Sequence, residues 1–428
     1  MKILNVNLKL NLAIILIIFF HGLFLSIFSI HPKVSYSIVF LLYFLVVFFN
    51  RNTMLLRIDR WLFYVLIVLM PSVLVGLYLE WSYIDISADI VRYLAPFLGY
   101  VAGVILLKQL DYDRILYTFY VLLAIQLILY YYSLISKASY VLQGGPIVEY
   151  ASLHGLEVQT LFFLIVYFLL KNKVVSGFKK VLLIGYAAGF ILNPILLMSK
   201  ARLIAVLLTF ALIFILYSNI KDKVLMILFA LFFAGTSFLY FDGRTYYDKE
   251  TSSDVTVYSR IQNTIELVKS KKYLADASTS FRVAEITNLT GMLHDKAPYS
   301  LFFGFGSGAL YYDDYAKIEG GIVQENFRPD GGVHDIFFVP VAYVFRYGFI
   351  GLFLMLYFIV HFYRKILINN TNLHQNGISK SLKIFIIISF VADLFVGVHI
   401  YGNFDFGFYI AFAIVLQNKF NVRYNSLH

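Results

Sequence analysis

The sequence predicts an all-α integral membrane protein of about twelve transmembrane helices, with one large loop on the outer face. Three observations carry this reading. Hydrophobic residues make up 60% of the 428 and charged residues only 14%. The apolar residues come in repeated blocks near the roughly 20 residues that a helix needs to cross a bilayer. One long stretch, Asp242 to Asp335, is polar where the rest is not. The aromatic share of 18% suits rings lying against lipid and at the two interfaces, and equally suits stacking on sugars.

Apolar runs mark spans near residues 10–30, 34–49, 61–79, 90–107, 115–135, 156–170, 181–198, 202–218, 224–241, 336–360, 384–401 and 405–417. The first run is too long for the apolar core of a signal peptide and lacks a small-residue cleavage site, so it reads as the first span. Cations sort the segments between spans. One alternate set holds Lys2, Lys9, Arg51, Arg57, Arg60, Lys108, Arg114, Lys171, Lys173, Lys179, Lys180, Lys221, Lys223, Arg364, Lys365, Lys380, Lys383, Lys419 and Arg423. The other short segments hold only Lys33, Arg92, Lys137, Lys200 and Arg202. The positive-inside rule therefore puts both termini in the cytoplasm. Three regions follow: residues 1–241 with the first nine helices, 242–335 as the large outside loop, and 336–428 with the last three helices and a cytoplasmic tail. There is neither an internal repeat nor a low-complexity tract.

The formal charge of +10 would point to nucleic acid in a soluble domain, but here the cations sit in short loops and form no basic stripe. No nucleic-acid partner is expected. The absence of cysteine excludes disulfides and thiolate metal sites and leaves the redox compartment open. No His-Glu-x-x-His or other metal spacing occurs, and Gly304, Gly306 and Gly308 lack the Gly-Lys-Ser/Thr ending of a phosphate loop, so neither metal nor nucleotide is expected.

Within the large loop, Ile261, Ile265 and Val268 recur at helical spacing, and Val283, Ile286 and Leu289 repeat the pattern. Two amphipathic helices lying near the membrane surface are expected. The stretch "FFGFGSGALYYDDY" then breaks the period, and "RPDGGVHD" returns the chain to the membrane. "NLT" at Asn288 matches a glycosylation sequon, a match common by chance.

Several charged residues stand out. Lys200 and Arg202, in "LLMSKARLIAVLL", fall in a tight outside hairpin, where the sorting rule predicts few cations. They could snorkel to headgroups, or bind an anion at a cavity mouth, where the planar fork of Arg pairs bidentately with phosphate oxygens. Arg282 has Glu285 three residues on, the spacing of an exposed helical ion pair, and Arg260 and Arg328 sit in ordinary polar contexts. Arg346 lies well inside the apolar run "VAYVFRYGFIGLF", and an ionisable group there faces a bundle interior or wet cavity. Asp335 reads as a helix N-cap, whereas His334 beside it suits a general base or a cation facing phosphate. Asp393 falls inside the eleventh span, His399, Asn403 and Asp405 lie near the outside face, and Glu149, Glu157 and Gln159 approach the same side. Carboxylates there fit a proton relay or a sugar site.

The arrangement of parts resembles the bacterial O-antigen polymerase (Wzy-type) and O-antigen ligase superfamily of membrane glycosyltransferases, whose fold is GT-C-like. The resemblance rests on the span count, both ends inside, one large periplasmic loop before the last three spans, and three short motifs in order. These are the hairpin "MSKARLIAVLL", the loop segment "STSFRVAEITNLTGMLHDKAPYSLFFGFGSG", and "HDIFFVPVAYVFRYGFIG" with Asp335 where Asn is usual. It implies transfer of a glycan from undecaprenyl diphosphate at the periplasmic face of the bacterial inner membrane, with inversion and without metal or other cofactor. It also implies that Arg202 and Lys200 face the diphosphate, Arg282 clamps phosphate from the loop, and His334 activates the acceptor hydroxyl. Arg346, Asp335 and Arg328 complete the implied substrate-binding set. The implied partners are the lipid-linked oligosaccharide, the lipid bilayer, a chain-length regulator and a flippase. Asp335 and the aromatic-rich sequence favour polymerase over ligase, and a polysaccharide flippase or proton-coupled transporter is the reading from another class.

Overall fold

The computed structural model describes residues 11, 13–18, 32–50, 67, 69–136, 156–171, 177–196, 200–217, 245–248, 253–256, 277–316, 332–334, 336, 339–367, 385 and 406–425. They are mostly helical. Residues 13–18 are helical, followed by α1 (Pro32–Phe49), α2 (Leu69–Tyr78), α3 (Tyr83–Lys108), α4 (Tyr112–Ser136), α5 (Leu156–Lys171), α6 (Phe178–Leu196) and α7 (Lys200–Tyr217). A hairpin of β1 (Thr245–Asp248) and β2 (Ser253–Thr256) comes next, then α8 (Ala277–Asp295), α9 (Tyr299–Phe303), α10 (Val339–Leu367) and α11 (Phe406–Asn425). Local chemistry sets the ends. The Asp111 carboxylate accepts the Arg114 amide at 2.8 Å to cap α4, and Gly177, at φ 63°, receives the Lys180 amide on its carbonyl as α6 begins.

The apolar runs predict most of these helices to within a few residues, while the runs at 224–241 and 384–401 lie outside the described residues apart from Phe385. Among the described residues no single helix is long and apolar enough to cross a membrane. One bent pair, Tyr83–Ala95 with Phe97–Lys108, has the length and composition to do so. The 40° bend falls at Pro96, which has no amide to donate to the helix ladder.

Among the described residues, three apolar clusters hold the helices together. The largest joins α1, the C-terminal half of α3, α4 to α7 and α11, and its centre is aromatic. Phe162 meets Phe119 edge-on at 5.2 Å and Tyr409 at 5.6 Å, and Phe163 stacks on Phe190 at 4.4 Å. Such pairs add about 0.5–1.5 kcal/mol each beyond their buried area. Much of the aromatic content is thus interior packing, a role not foreseen from composition. The second cluster joins α8, residues 305–311 and α10, and the third joins α2, α10 and the N-terminal half of α3. The long helix α3 therefore has two jobs, with its later half in the bundle and its earlier half facing the loop.

Two expectations for the polar segment change. The β1–β2 hairpin, in register from Thr245 opposite Thr256 to Asp248 opposite Ser253, was not foreseen among helices. In α8 the apolar spacing at Val283, Ile286 and Leu289 finds the buried face only in part, since Leu289 is buried and Ile286 half-buried but Val283 is 43% exposed, and the buried stripe continues through Ala284, Glu285, Asn288 and Leu293. The reason is hydrogen bonding. The Asn288 side chain accepts the Tyr315 and Ala316 amides at 2.8 and 2.9 Å and donates to the Ala316 carbonyl at 2.8 Å, so a polar residue faces inward. Glu285, read as half of an exposed ion pair, is instead fully buried, and its carboxylate accepts the Tyr311 hydroxyl at 3.3 Å. The other amphipathic helix expected in the loop, around 261–268, lies outside the described residues.

Candidate functional site

The site begins with a broken helix. Within α10, Gly348 has φ 66° and ψ −175°, a conformation outside the helical range. The break deprives the Phe345 and Arg346 carbonyls of the amides four residues on, which a continuous helix would supply. The glycine loop supplies replacements: the Phe305 amide donates to the Phe345 carbonyl at 2.6 Å and the Gly306 amide to the Arg346 carbonyl at 3.0 Å. From the other side, Ser72 Oγ donates to the same Arg346 carbonyl at 3.3 Å and lies 2.9 Å from Ser307 Oγ. The Ser307 amide donates to the Ser72 carbonyl at 2.9 Å, and the Trp81 indole to the Phe305 carbonyl at 2.8 Å. Each bond is worth about 0.5–1.5 kcal/mol, and each buried group left unmatched would cost about 1–3 kcal/mol. The loop is therefore seated as a unit between α2, α3 and α10.

Such a seat admits almost no side-chain volume. A Cβ on Gly306, at φ 84°, would stand 2.3 Å from the backbone nitrogen of Gly76. Beyond the glycines, Tyr311 and Val333 exchange backbone hydrogen bonds of 3.0 and 2.9 Å in an antiparallel bridge, which holds His334 against the loop.

At the centre is Asp89, on the loop-facing half of α3, with its side chain 1% exposed. Its Oδ1 lies 3.1 Å from Arg346 Nη1 and 3.3 Å from His334 Nε2, and its Oδ2 accepts the Gly308 amide at 2.7 Å. Arg346 Nη2 donates to the His334 carbonyl at 2.5 Å. Arg346 Nε is buried and has no hydrogen-bond acceptor among the described residues. Among the described residues the cluster thus joins the Asp89 carboxylate, the Arg346 guanidinium and the His334 imidazole. Burying these groups is costly, and a buried ion pair is weak evidence for stability, so the arrangement points to a functional site.

Of the residues expected from sequence, His334 and Arg346 come together here. Lys200 and Arg202 open α7 in its first turn instead of occupying the preceding turn. The aligned peptide dipoles already make a helix start positive, so two cations there oppose the dipole and do nothing for helix stability. Arg282 lies near the start of α8. The side chains of these three residues are not described, and Asp335, Arg328, Arg260, Glu149, Asp393, His399, Asn403 and Asp405 lie outside the described residues. Glu157 lies in the first turn of α5, and Gln159 is buried there, with its carbonyl 3.5 Å from the Tyr186 hydroxyl.

Sequence reading missed Asp89. It stands in "SADIVRYL", one residue before the span that the apolar run marks from 90, although an acid among Ile86, Ile90 and Tyr93 carries the same signal that singled out Arg346. No protein-family model matches this chain, and no curated protein matches it.

Proposed function

We propose that this chain is a multi-pass protein of the bacterial inner membrane that polymerises surface polysaccharide at the periplasmic face, by transferring a glycan from undecaprenyl diphosphate onto a second lipid-linked repeat unit. The observation that carries the proposal is the meeting of two segments that the sequence resemblance named separately. The glycine loop and the His334 to Gly348 segment join backbone to backbone, and one buried carboxylate ties both to a histidine and an arginine. In the expected topology the loop-facing starts of α3 and α10 both lie outside, on the same side as Lys200 and Arg202.

The chemistry needed is a displacement at the anomeric carbon. The acceptor hydroxyl forms the new bond and passes its proton to His334, and the sugar–oxygen bond breaks with the electron pair leaving on the diphosphate. The anomeric centre inverts. Negative charge grows on the leaving group, and cations fixed in a water-poor site stabilise it without reorganising. Arg202, Lys200 and Arg282 meet the diphosphate in this reading, while Arg346, with Arg328 and Asp335, borders the substrate. Hydrogen-bond donors at Arg346, including the buried Nε, suit phosphate or sugar oxygens.

The test is the lipopolysaccharide ladder of a strain that lacks the gene and is complemented with the parent, Arg202→Ala, Arg282→Ala or His334→Ala at matched protein levels. Collapse to core plus one repeat unit is expected for the deletion and for each variant. Bare core with lipid-linked polymer accumulating would make the protein a ligase. An unaltered ladder in the deletion strain would reject both and favour a transporter.

A further inference from the structure

We propose that Asp89 is a positioning residue, whose carboxylate fixes the His334 imidazole and the Arg346 guanidinium to the seated glycine loop, so that the site is assembled only while the loop occupies its slot. This deepens the reading above and rests on it. A plain counter-ion for Arg346 would need only one side of the carboxylate. Here Oδ1 is shared between the guanidinium at 3.1 Å and the imidazole at 3.3 Å, and Oδ2 takes the Gly308 amide at 2.7 Å.

The loop is bound into the same arrangement at other points. Arg346 donates to the His334 carbonyl, its own carbonyl is held by Gly306 and Ser72, and the Tyr311–Val333 bridge sets the backbone just before His334. Withdrawal of residues 305–311 would remove the Gly308 amide from Asp89 and the Gly306 amide from Arg346 together. Loop seating and the geometry of the histidine are therefore one event. An acceptor hydroxyl would meet an aligned base only in the seated state, and misplacement of a reacting group by about 1 Å can cost a hundredfold in rate.

The experiment uses the full chain in nanodiscs, with lipid-linked repeat units extracted from the gene-deleted strain as substrate. Asp89→Asn keeps the shape of the side chain and removes its charge. The expected result is a fall in kcat of at least about tenfold with KM changed by less than about twofold, the signature of an interaction realised in the transition state. Loop seating is read separately. The chain has no cysteine, so Ser72→Cys with Ser307→Cys, oxidised by copper phenanthroline, gives a single cross-link that forms only when the loop is in place.

Equal cross-linking in Asp89→Asn with kcat lost supports the proposal. Equal cross-linking with kcat retained, where His334→Ala is inactive, overturns it while leaving the functional reading intact. If Asp89→Asn cross-links poorly, kcat is referred to the cross-linked fraction. A full rate there would reduce Asp89 to a loop anchor and overturn the proposal, and a rate still tenfold down would support it. Activity in His334→Ala equal to the parent would remove the functional reading itself.

Discussion

At the scale of single residues the buried ion pair makes a stability prediction independent of any activity. Arg346→Met leaves the Asp89 carboxylate, 1% exposed, without its guanidinium partner, and such a loss costs about 3–5 kcal/mol. Combining it with Asp89→Leu removes both charges and leaves two apolar side chains of useful volume. The double variant is expected to regain most of the lost stability, so the two substitutions depart from additivity by a few kcal/mol. Thermal unfolding in detergent measures this, and strictly additive losses would show that the charges do not depend on one another. Neither variant is expected to support glycan polymerisation. Sequence alone made Arg346 conspicuous, because an arginine among Val344, Phe345 and Phe349 has no cheap place to go. Asp89 carries the same kind of signal but stands next to residues that pass for a span's polar flank. Its chief polar partners lie more than two hundred residues away, and only the fold reveals them.

At the scale of elements the break in α10 is the feature on which the loop depends. Gly348 has φ 66°, and a Cβ there would lie 2.0 Å from the Phe302 carbonyl oxygen. Gly348→Ala is therefore expected to push α9 away from α10 and unseat the loop, at a cost of about 1–3 kcal/mol from backbone strain alone. Trp81 reports the event, since its indole donates to the Phe305 carbonyl. In a Trp61→Phe background, where Trp81 is the remaining tryptophan, its emission should shift to the red in Gly348→Ala, and an unchanged spectrum would mean that the loop stays in place. The elements themselves were unevenly legible. Long apolar runs fixed the helices because burying such runs allows little else, and the runs begin and end near charged or glycine-rich breaks. The face of α8 was legible only in part, at Leu289, because its buried stripe also contains Glu285 and Asn288, whose partners come from residues 311–316. An apolar-periodicity argument has no means of finding a polar face that is satisfied by a distant loop. The hairpin of β1 and β2 escaped for a related reason, as four-residue strands are too short to establish a period.

At the scale of the whole molecule, the functional proposal requires one orientation in the membrane, and the absence of cysteine makes that orientation measurable. At the junction of α3 and α4, Lys108 ends the one helix and Arg114 lies in the first turn of the other, and the positive-inside rule puts this junction in the cytoplasm. Asp113 is an exposed position there, while Asp313 is exposed just beyond the glycine loop, which the same rule puts outside. Either substitution by cysteine creates the chain's single thiol. In intact spheroplasts a membrane-impermeant maleimide is expected to label Asp313→Cys and to leave Asp113→Cys untouched until the membrane is permeabilised. The two positions lie toward opposite ends of α3: Asp313 follows the loop that meets its N-terminal half, and Asp113 lies past its C-terminal end. A chain that crosses the bilayer along α3 must therefore separate them. Labelling of both in intact spheroplasts, or of neither, would show that α3 does not span. Labelling of Asp113→Cys alone would turn the Asp89, His334 and Arg346 cluster to the cytoplasm, where periplasmic polymerisation could not use it.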